Sequence, residues 1–213
     1  MPKKIAVIGG GGFAKEIIEV ILMNGDEVYG VFAKESNLDY EYFGYLKELN
    51  EHKNSFDGVI LAIGAVNQAG IENRRKIIEF IRDSGIELIS VISPLATISK
   101  SVKIGKGVYI AHGVLVSCDA KICDNVLINN NAIVGHDVKI DENVSIAPQV
   151  FIGGGVIIEK DVMIGAGSTL IQGIKIGSNS TIGMRSIVIK NIKKSSTVLH
   201  QVSKVYSTSM KKD

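Results

Sequence analysis

From Ile98 onward every sixth residue is aliphatic. The series runs Ile98, Ile104, Ile110, Val116, Ile122, Ile128, Val134, Ile140, Ile146, Ile152, Ile158, Ile164, Leu170, Ile176, Ile182 and Val188 without a missed step. Four positions after each, the residue is small or β-branched, from Val102 and Val108 through Ala120, Ala132 and Val144 to Ser168, Ile174, Ser180 and Ser186. A fixed period held over sixteen consecutive positions is an internal repeat. One large and one small inward residue per hexad fit one flat side of a triangular coil, the small residue lying near the corner, where bulk will not fit. Gly105, Asn125, Asn143, Gly153, Gly165, Gly177 and Gly183, in the slots between, are expected to supply turn conformations. Three hexads make a coil of eighteen residues, so the repeat predicts about five coils stacked as a parallel β-helix.

Before the repeat the pattern is different. "KIAVI" predicts a buried strand, "GGGG" a turn, and "FAKEIIEVILMNG" a helix with apolar spacing at Phe13, Ile17, Ile18, Ile21 and Leu22, stopped by Asn24-Gly25. "EVYGVF" and "FDGVILAIG" read as strands, "IENRRKIIEFIRDSG" as a helix ending on Gly85, and "IELISVI" as a fourth strand. That alternation predicts a small, Rossmann-like parallel α/β sheet covered by helices. The expected division is residues 1–92 for this domain, 93–193 for the β-helix and 194–213 for a tail.

Charge and composition narrow the function classes. The formal net charge is +2 and the basic residues are scattered, so no footprint for nucleic acid is visible. Cys118 and Cys123 stand without a histidine at ligand spacing, which argues against a disulfide framework or a zinc site; no metal is expected. No apolar run reaches membrane-spanning length, and a cytoplasmic location with no membrane partner is the expectation.

Three motifs carry a family resemblance: the glycine loop "GGGGFAKEI", the "AIG" at residues 62–64 and "NNNAIVGHD" at 129–137. With the strict hexad they make the chain resemble the hexapeptide-repeat sugar acetyltransferases of the sialic-acid and bacillosamine type. The resemblance implies a left-handed β-helix, a homotrimer, and transfer of acetyl from acetyl-CoA to the amino group of a nucleotide-linked amino sugar, in surface polysaccharide or lipopolysaccharide assembly. It also implies His136 as general base and Asp137 as the acid that orients it. Asn129 would contact the acceptor sugar, or be a rung of an asparagine ladder. Gly11, Gly12 and Phe13, with Gly64 and Ala65, would hold the nucleotide-sugar. Coenzyme A would lie between neighbouring β-helices near Gly154, Gly165, Ala166, Gly183 and Met184. Ser145 stands where many relatives carry a second histidine that contacts the acetyl carbonyl. "LHQVSK" at 199–204 replaces a Gly-x-Pro-Ala-Lys turn, and Ala33-Lys34 replace a pair of aspartates found in uridine-specific relatives. His112, His52 and His200 are expected to be non-catalytic.

The chemistry suits these residues. An amine attacking a thioester must lose a proton, and imidazole is the side chain whose titration range fits that task. Holding both substrates together can itself supply on the order of 7–11 kcal/mol, so no protein nucleophile is needed. A glycine turn entering a helix offers backbone N–H groups to an anion. Gly9, Gly11 and Ala14 also fit a dinucleotide fingerprint, but Ala33 and Lys34 stand where NAD requires an acid, which argues against a dehydrogenase. Two other readings stay open: acetyl transfer to a hydroxyl, as in sialic acid O-acetylation, and an inactive trimeric binding protein.

Overall fold

The computed structural model describes residues 1–200. Strand β1 (Lys4–Ile8) is the centre of a three-stranded parallel sheet of order β2-β1-β3, with β2 at Glu27–Phe32 and β3 at Gly58–Leu61. Helix α1 (Gly12–Met23) buries Ala14, Ile17, Ile18, Val20 and Ile21, and α3 (Gln68–Asp83) buries Ile71, Arg74, Ile77, Ile78 and Ile81. A short helix α2 (Leu46–His52), not legible in the pattern because Leu49 is its one buried residue, covers the far side. The predicted fourth strand divides. Leu88 makes an isolated bridge to Val59, whereas Val91–Ile92 pairs with Tyr109–Ile110 and opens the β-helix. The chain crosses between two sheets within "IELISVI", so no one sheet claims that run.

The β-helix has three faces, with sheets of seven, six and five strands. The first face runs from Val91–Ile92 through Tyr109–Ile110, Leu127–Ile128, Ser145–Ile146, Met163–Ile164 and Thr181–Ile182 to Thr197–Val198. The second runs from Thr97–Ile98 through Leu115–Val116, Ile133–Val134, Phe151–Ile152 and Thr169–Leu170 to Ile187–Val188. The third runs from Lys103–Ile104 through Lys121–Ile122, Lys139–Ile140 and Ile157–Ile158 to Lys175–Ile176. Eighteen strands at three per coil make six coils rather than five, because strands at both ends extend the hexad series. Successive coils pair residue for residue at a step of eighteen, as in Leu127 with Ser145, which shortens to sixteen where Thr181 meets Thr197.

The coil corners use two devices. From Ile104 to Ile182 the third residue after each aliphatic position is left-handed: Asn125 has φ 59°, Asp137 58° and Asn143 55°. Asparagine and aspartate tolerate that region better than most residues, which explains their recurrence there. Gly105, Gly153, Gly165, Gly177 and Gly183 do not supply turns as expected, since their φ values are not positive. They permit close approach instead: a Cβ on Gly153 would lie 2.6 Å from the backbone nitrogen of Gln172, and one on Gly165 2.5 Å from that of Met184.

The α/β domain covers the first face and grips its two bordering edges. Glu16 on α1 accepts from Asn130 at 3.2 Å on the edge between the first and second faces. On the edge between the third and first faces, Arg74 is fully buried and donates to Asn143 Oδ1 at 3.1 Å, to the Ile63 carbonyl at 2.5 Å and to the Asn125 carbonyl at 2.8 Å. The edge between the second and third faces receives none of these contacts, and it carries His136.

Candidate active site

His136 and Asp137 occupy the corner after Ile133–Val134. The Asp137 carboxylate accepts from His136 Nδ1 at 2.8 Å, with side chains 64% and 66% exposed. This fixes the proton on Nδ1 and leaves Nε2 as the unprotonated nitrogen, the arrangement a general base requires. The left-handed backbone of Asp137 aims its carboxylate back at the preceding ring, and it is an ordinary corner conformation here, because Asp119 and Asp161 share it. An exposed ion pair adds little stability, so this one is best read for its orientation.

Gly154 lies one coil beyond His136. A Cβ there would sit 2.4 Å from Nε2 and 2.7 Å from Cε1. The glycine thus clears the space in which the imidazole rests, a role distinct from the coenzyme contact expected of it. Its φ is not positive, so alanine strains no backbone. Gly154→Ala is expected to retain its melting temperature within a degree or two while kcat falls on the order of 100-fold, the cost of about 1 Å of misplacement. Thermal denaturation beside steady-state kinetics checks both halves.

The other expected site residues lie elsewhere. Asn129, Gly165, Ala166, Gly183 and Met184 line the edge between the first and second faces, and Ala166 and Met184 border a groove of about 610 Å³. Ser145 is 6% exposed on the first face, between Leu127 and Met163, and does not neighbour His136 in its own chain. A Cβ on Gly64 would meet Phe13 at 3.8 Å, which puts the "AIG" turn against the glycine loop. Ala65 is buried with Ile71 and Met163 where α3 meets the first face.

The four loop glycines separate into two pairs. Gly9 has φ 133° and a Cβ position 2.4 Å from the Ala62 carbonyl, while a Cβ on Gly10 would lie 2.3 Å from the Glu35 carbonyl. These two are required by packing. Added Cβ atoms on Gly11 and Gly12 meet nothing within 4 Å. Gly11 caps α1 with no side-chain hydrogen bond, and the first turn carries no acid. Packing gives no reason for the second pair, whereas an anion approaching the helix N-terminus does.

His112 and His52 have structural partners, and His200 borders the groove lined by Ala166 and Met184. His112 Nδ1 lies 2.7 Å from Ser93 Oγ, with Nε2 3.8 Å from Glu19, and His52 Nδ1 is 2.7 Å from the Tyr29 hydroxyl. Among the described residues no cluster of His, Cys, Asp or Glu has the make-up to hold a metal ion, and no helix is long and apolar enough to cross a membrane.

A small α/β domain feeding a hexapeptide solenoid defines the class, and family models agree. The PglD N-terminal domain matches residues 4–81, the bacterial transferase hexapeptide (six repeats) residues 119–154, and the hexapeptide repeat of succinyl-transferase residues 155–188. By these models the chain joins a PglD N-terminal domain to transferase hexapeptide repeats, and it is similar to nucleotide-amino-sugar N-acetyltransferases of known structure. It resembles perosamine N-acetyltransferase from Caulobacter crescentus, solved with CoA and GDP-perosamine, at 28% identity and TM-score 0.86, over 91% of this chain and 92% of that one. The acetyltransferase domain of PglB from Neisseria gonorrhoeae, solved with acetyl coenzyme A, matches at 27% identity and TM-score 0.79, over 92% and 96% of the two chains. WeeI from Acinetobacter baumannii shares the fold at 23% identity and TM-score 0.77, over 91% and 95%. An uncharacterized protein of Acanthamoeba polyphaga mimivirus is 31% identical over 124 residues, a match spanning 56% of this chain and 24% of that relative.

Proposed function

We propose that the protein transfers acetyl from acetyl-CoA to the amino group of a nucleotide-linked amino-deoxysugar, at a site shared between neighbouring copies of a homotrimer. Residues 1–92 hold the nucleotide-sugar and residues 93–193 the thioester. The amine attacks the acetyl carbonyl, its proton passes to His136 Nε2, the C–N bond forms and the C–S bond breaks to release coenzyme A. Asp137 stabilises the imidazolium that results.

One observation carries the shared site. The α/β domain grips the edges that bound the first face, and His136 stands on the remaining edge, so the base of one copy serves the glycine loop of another. Ser145 and Asn129 then belong to the loop's side of the site, and Gly165, Ala166, Gly183 and Met184 to the opposite wall of the coenzyme groove. The second face supports the assembly. Its outward ladder holds Leu115, Ile133, Phe151 and Ile187, exposed at 40%, 41%, 44% and 72%, while the third face presents Lys103, Lys121, Lys139 and Lys175 with a single aliphatic residue, Ile157, among them. An apolar stripe on one face of three is the signature of a covered interface. The double variant Ile133→Lys with Phe151→Lys is therefore expected to run as a monomer in size exclusion with light scattering, and to lose activity although His136 is untouched. A fully active monomer would contradict the shared site.

The ligands bound in the Caulobacter and Neisseria relatives support the donor and the acceptor class. Surface polysaccharide or lipopolysaccharide assembly is the setting for such a product, and free, exposed Cys118 and Cys123 suit the cytoplasm. The direct test is thiol release from acetyl-CoA across guanosine-, thymidine- and uridine-linked amino sugars and free sialic acid. Turnover on one nucleotide amino sugar is the expected result. Turnover on sialic acid alone would replace the amine with a hydroxyl acceptor.

A further inference from the structure

The left-handed corner position recurs fourteen times between Gly107 and Arg185, and at twelve of them the residue is Gly, Asn or Asp. Gln149, with φ 60°, and Arg185, with φ 55°, are the exceptions. A long side chain has no conformational advantage there, and strain kept at a particular position calls for a reason. The two exceptions are not scattered. They lie two coils apart on the edge between the first and second faces, either side of Gly167, and both line the same groove of about 610 Å³. Thr169, Met184 and His200 border it as well, and none of its lining residues is a carboxylate. Among the described residues no acid forms an ion pair with Arg185. A glycine between two long donors, in a groove without an acid, fits an anion.

We propose that Arg185 anchors a phosphate of coenzyme A, an inference that rests on the trimeric acetyl-transfer reading. Asn131 is the corner residue of this edge in the coil that carries His136, and Arg185 lies three coils further along. At about 4.8 Å per coil the separation is about 14 Å along the axis. A threefold axis parallel to the β-helix leaves that height unchanged between copies. The pantetheine arm from sulfur to phosphate has the backbone length of roughly four extended residues, also about 14 Å. The thioester at His136 of one copy therefore puts the phosphorylated end of the coenzyme level with Arg185 of the next. A guanidinium is the side chain whose fork matches phosphate oxygens, and Gln149 can bond the amides of the arm on its way.

The test is Arg185→Asn, which removes the guanidinium and installs a residue that other corners use, so the fold is not at risk. The expected result is a KM for acetyl-CoA raised roughly 10- to 100-fold, the cost of one charge-assisted contact, with kcat unchanged. The KM for S-acetylpantetheine, which lacks both the diphosphate and the 3′-phosphate, should not move, and the melting temperature should hold or rise. Loss of the effect with 3′-dephospho-acetyl-CoA would support the 3′-phosphate as the partner, and its persistence would support the diphosphate. An equal rise for acetyl-CoA and S-acetylpantetheine, or no rise for either, overturns the inference. Calorimetry with coenzyme A alone separates the two levels of the proposal. Equal affinity of wild type and variant sinks the role of Arg185 only, whereas no binding by wild type sinks the acetyl-transfer reading and this inference with it.

Discussion

His136→Ala is expected to lower kcat by about 10²–10⁴, the contribution of a positioned general base, while leaving the melting temperature and the KM for acetyl-CoA close to wild type. The ring is 64% exposed and makes its one side-chain hydrogen bond to Asp137, so its removal leaves no cavity and orphans no buried group. That separation of stability from rate is what marks a catalytic side chain on this scaffold. His112 is the internal control. Its ring is tied to Ser93 and faces Glu19 on α1, so His112→Ala should lower stability modestly and leave kcat within a few-fold. Asp137→Asn completes the series: it keeps a residue suited to φ 58° but cannot hold the imidazolium, and a rate loss without a stability loss is the outcome expected. Equal kcat values for His136→Ala and wild type would remove the base from the account.

Arg74→Met is expected to cost about 3–5 kcal/mol of stability, the range for removing one member of a buried charged network. The side chain is fully buried and its three donors serve two carbonyls and the Asn143 amide, which itself donates to the Asp161 carboxylate at 2.8 Å. Burial pulls the guanidinium pKa down to about 9, which still leaves it charged at neutral pH. Methionine fills much of the volume but leaves those acceptors dry and unpaired, each at roughly 1–3 kcal/mol. Because Arg74 belongs to α3 and its partners Asn125 and Asn143 to the β-helix, the loss also loosens the docking that aims the glycine loop. A fall in melting temperature of roughly 10 °C or more is expected on the usual scaling, with a wider spread of acceptor KM than of donor KM. Thermal and chemical denaturation of the intact protein measure the first effect, and kinetics at a temperature where both proteins are folded measure the second.

The β-helix was legible in the sequence because its physics is periodic: each hexad must bury one aliphatic and one small residue, and the chain repeats that demand from Ile98 to Val188. The corners were half legible. Asn125 and Asn143 announce left-handed turns, but Gly153 and Gly165 answer to a neighbour eighteen residues away, which no local reading of glycine contains. Helix α2 was missed because seven residues with one buried side chain carry no period, and "IELISVI" was misread because two sheets share it. At the site, the pairing of His136 with Asp137 follows from adjacency, whereas the clearance supplied by Gly154 does not. Nothing in the helical spacing of "IENRRKIIEFIRDSG" by itself singles out Arg74 as buried. A cation on the buried side of α3, between Ile71 and Ile78, was the signal available.

The shared site is tested most directly by mixing two inactive variants. His136→Ala lacks the base. Gly11→Asp caps α1 well but sets a carboxylate where the nucleotide diphosphate is expected, with open space around it and no packing penalty. The two are unfolded together, refolded at equal concentration and assayed on the nucleotide amino sugar that wild type accepts. If each site draws its base from one copy and its glycine loop from the next, three-quarters of random trimers hold one intact site in three, and about a quarter of the wild-type rate returns. If base and loop serve the same site within one chain, the mixture stays as inactive as its components, and the shared site is wrong.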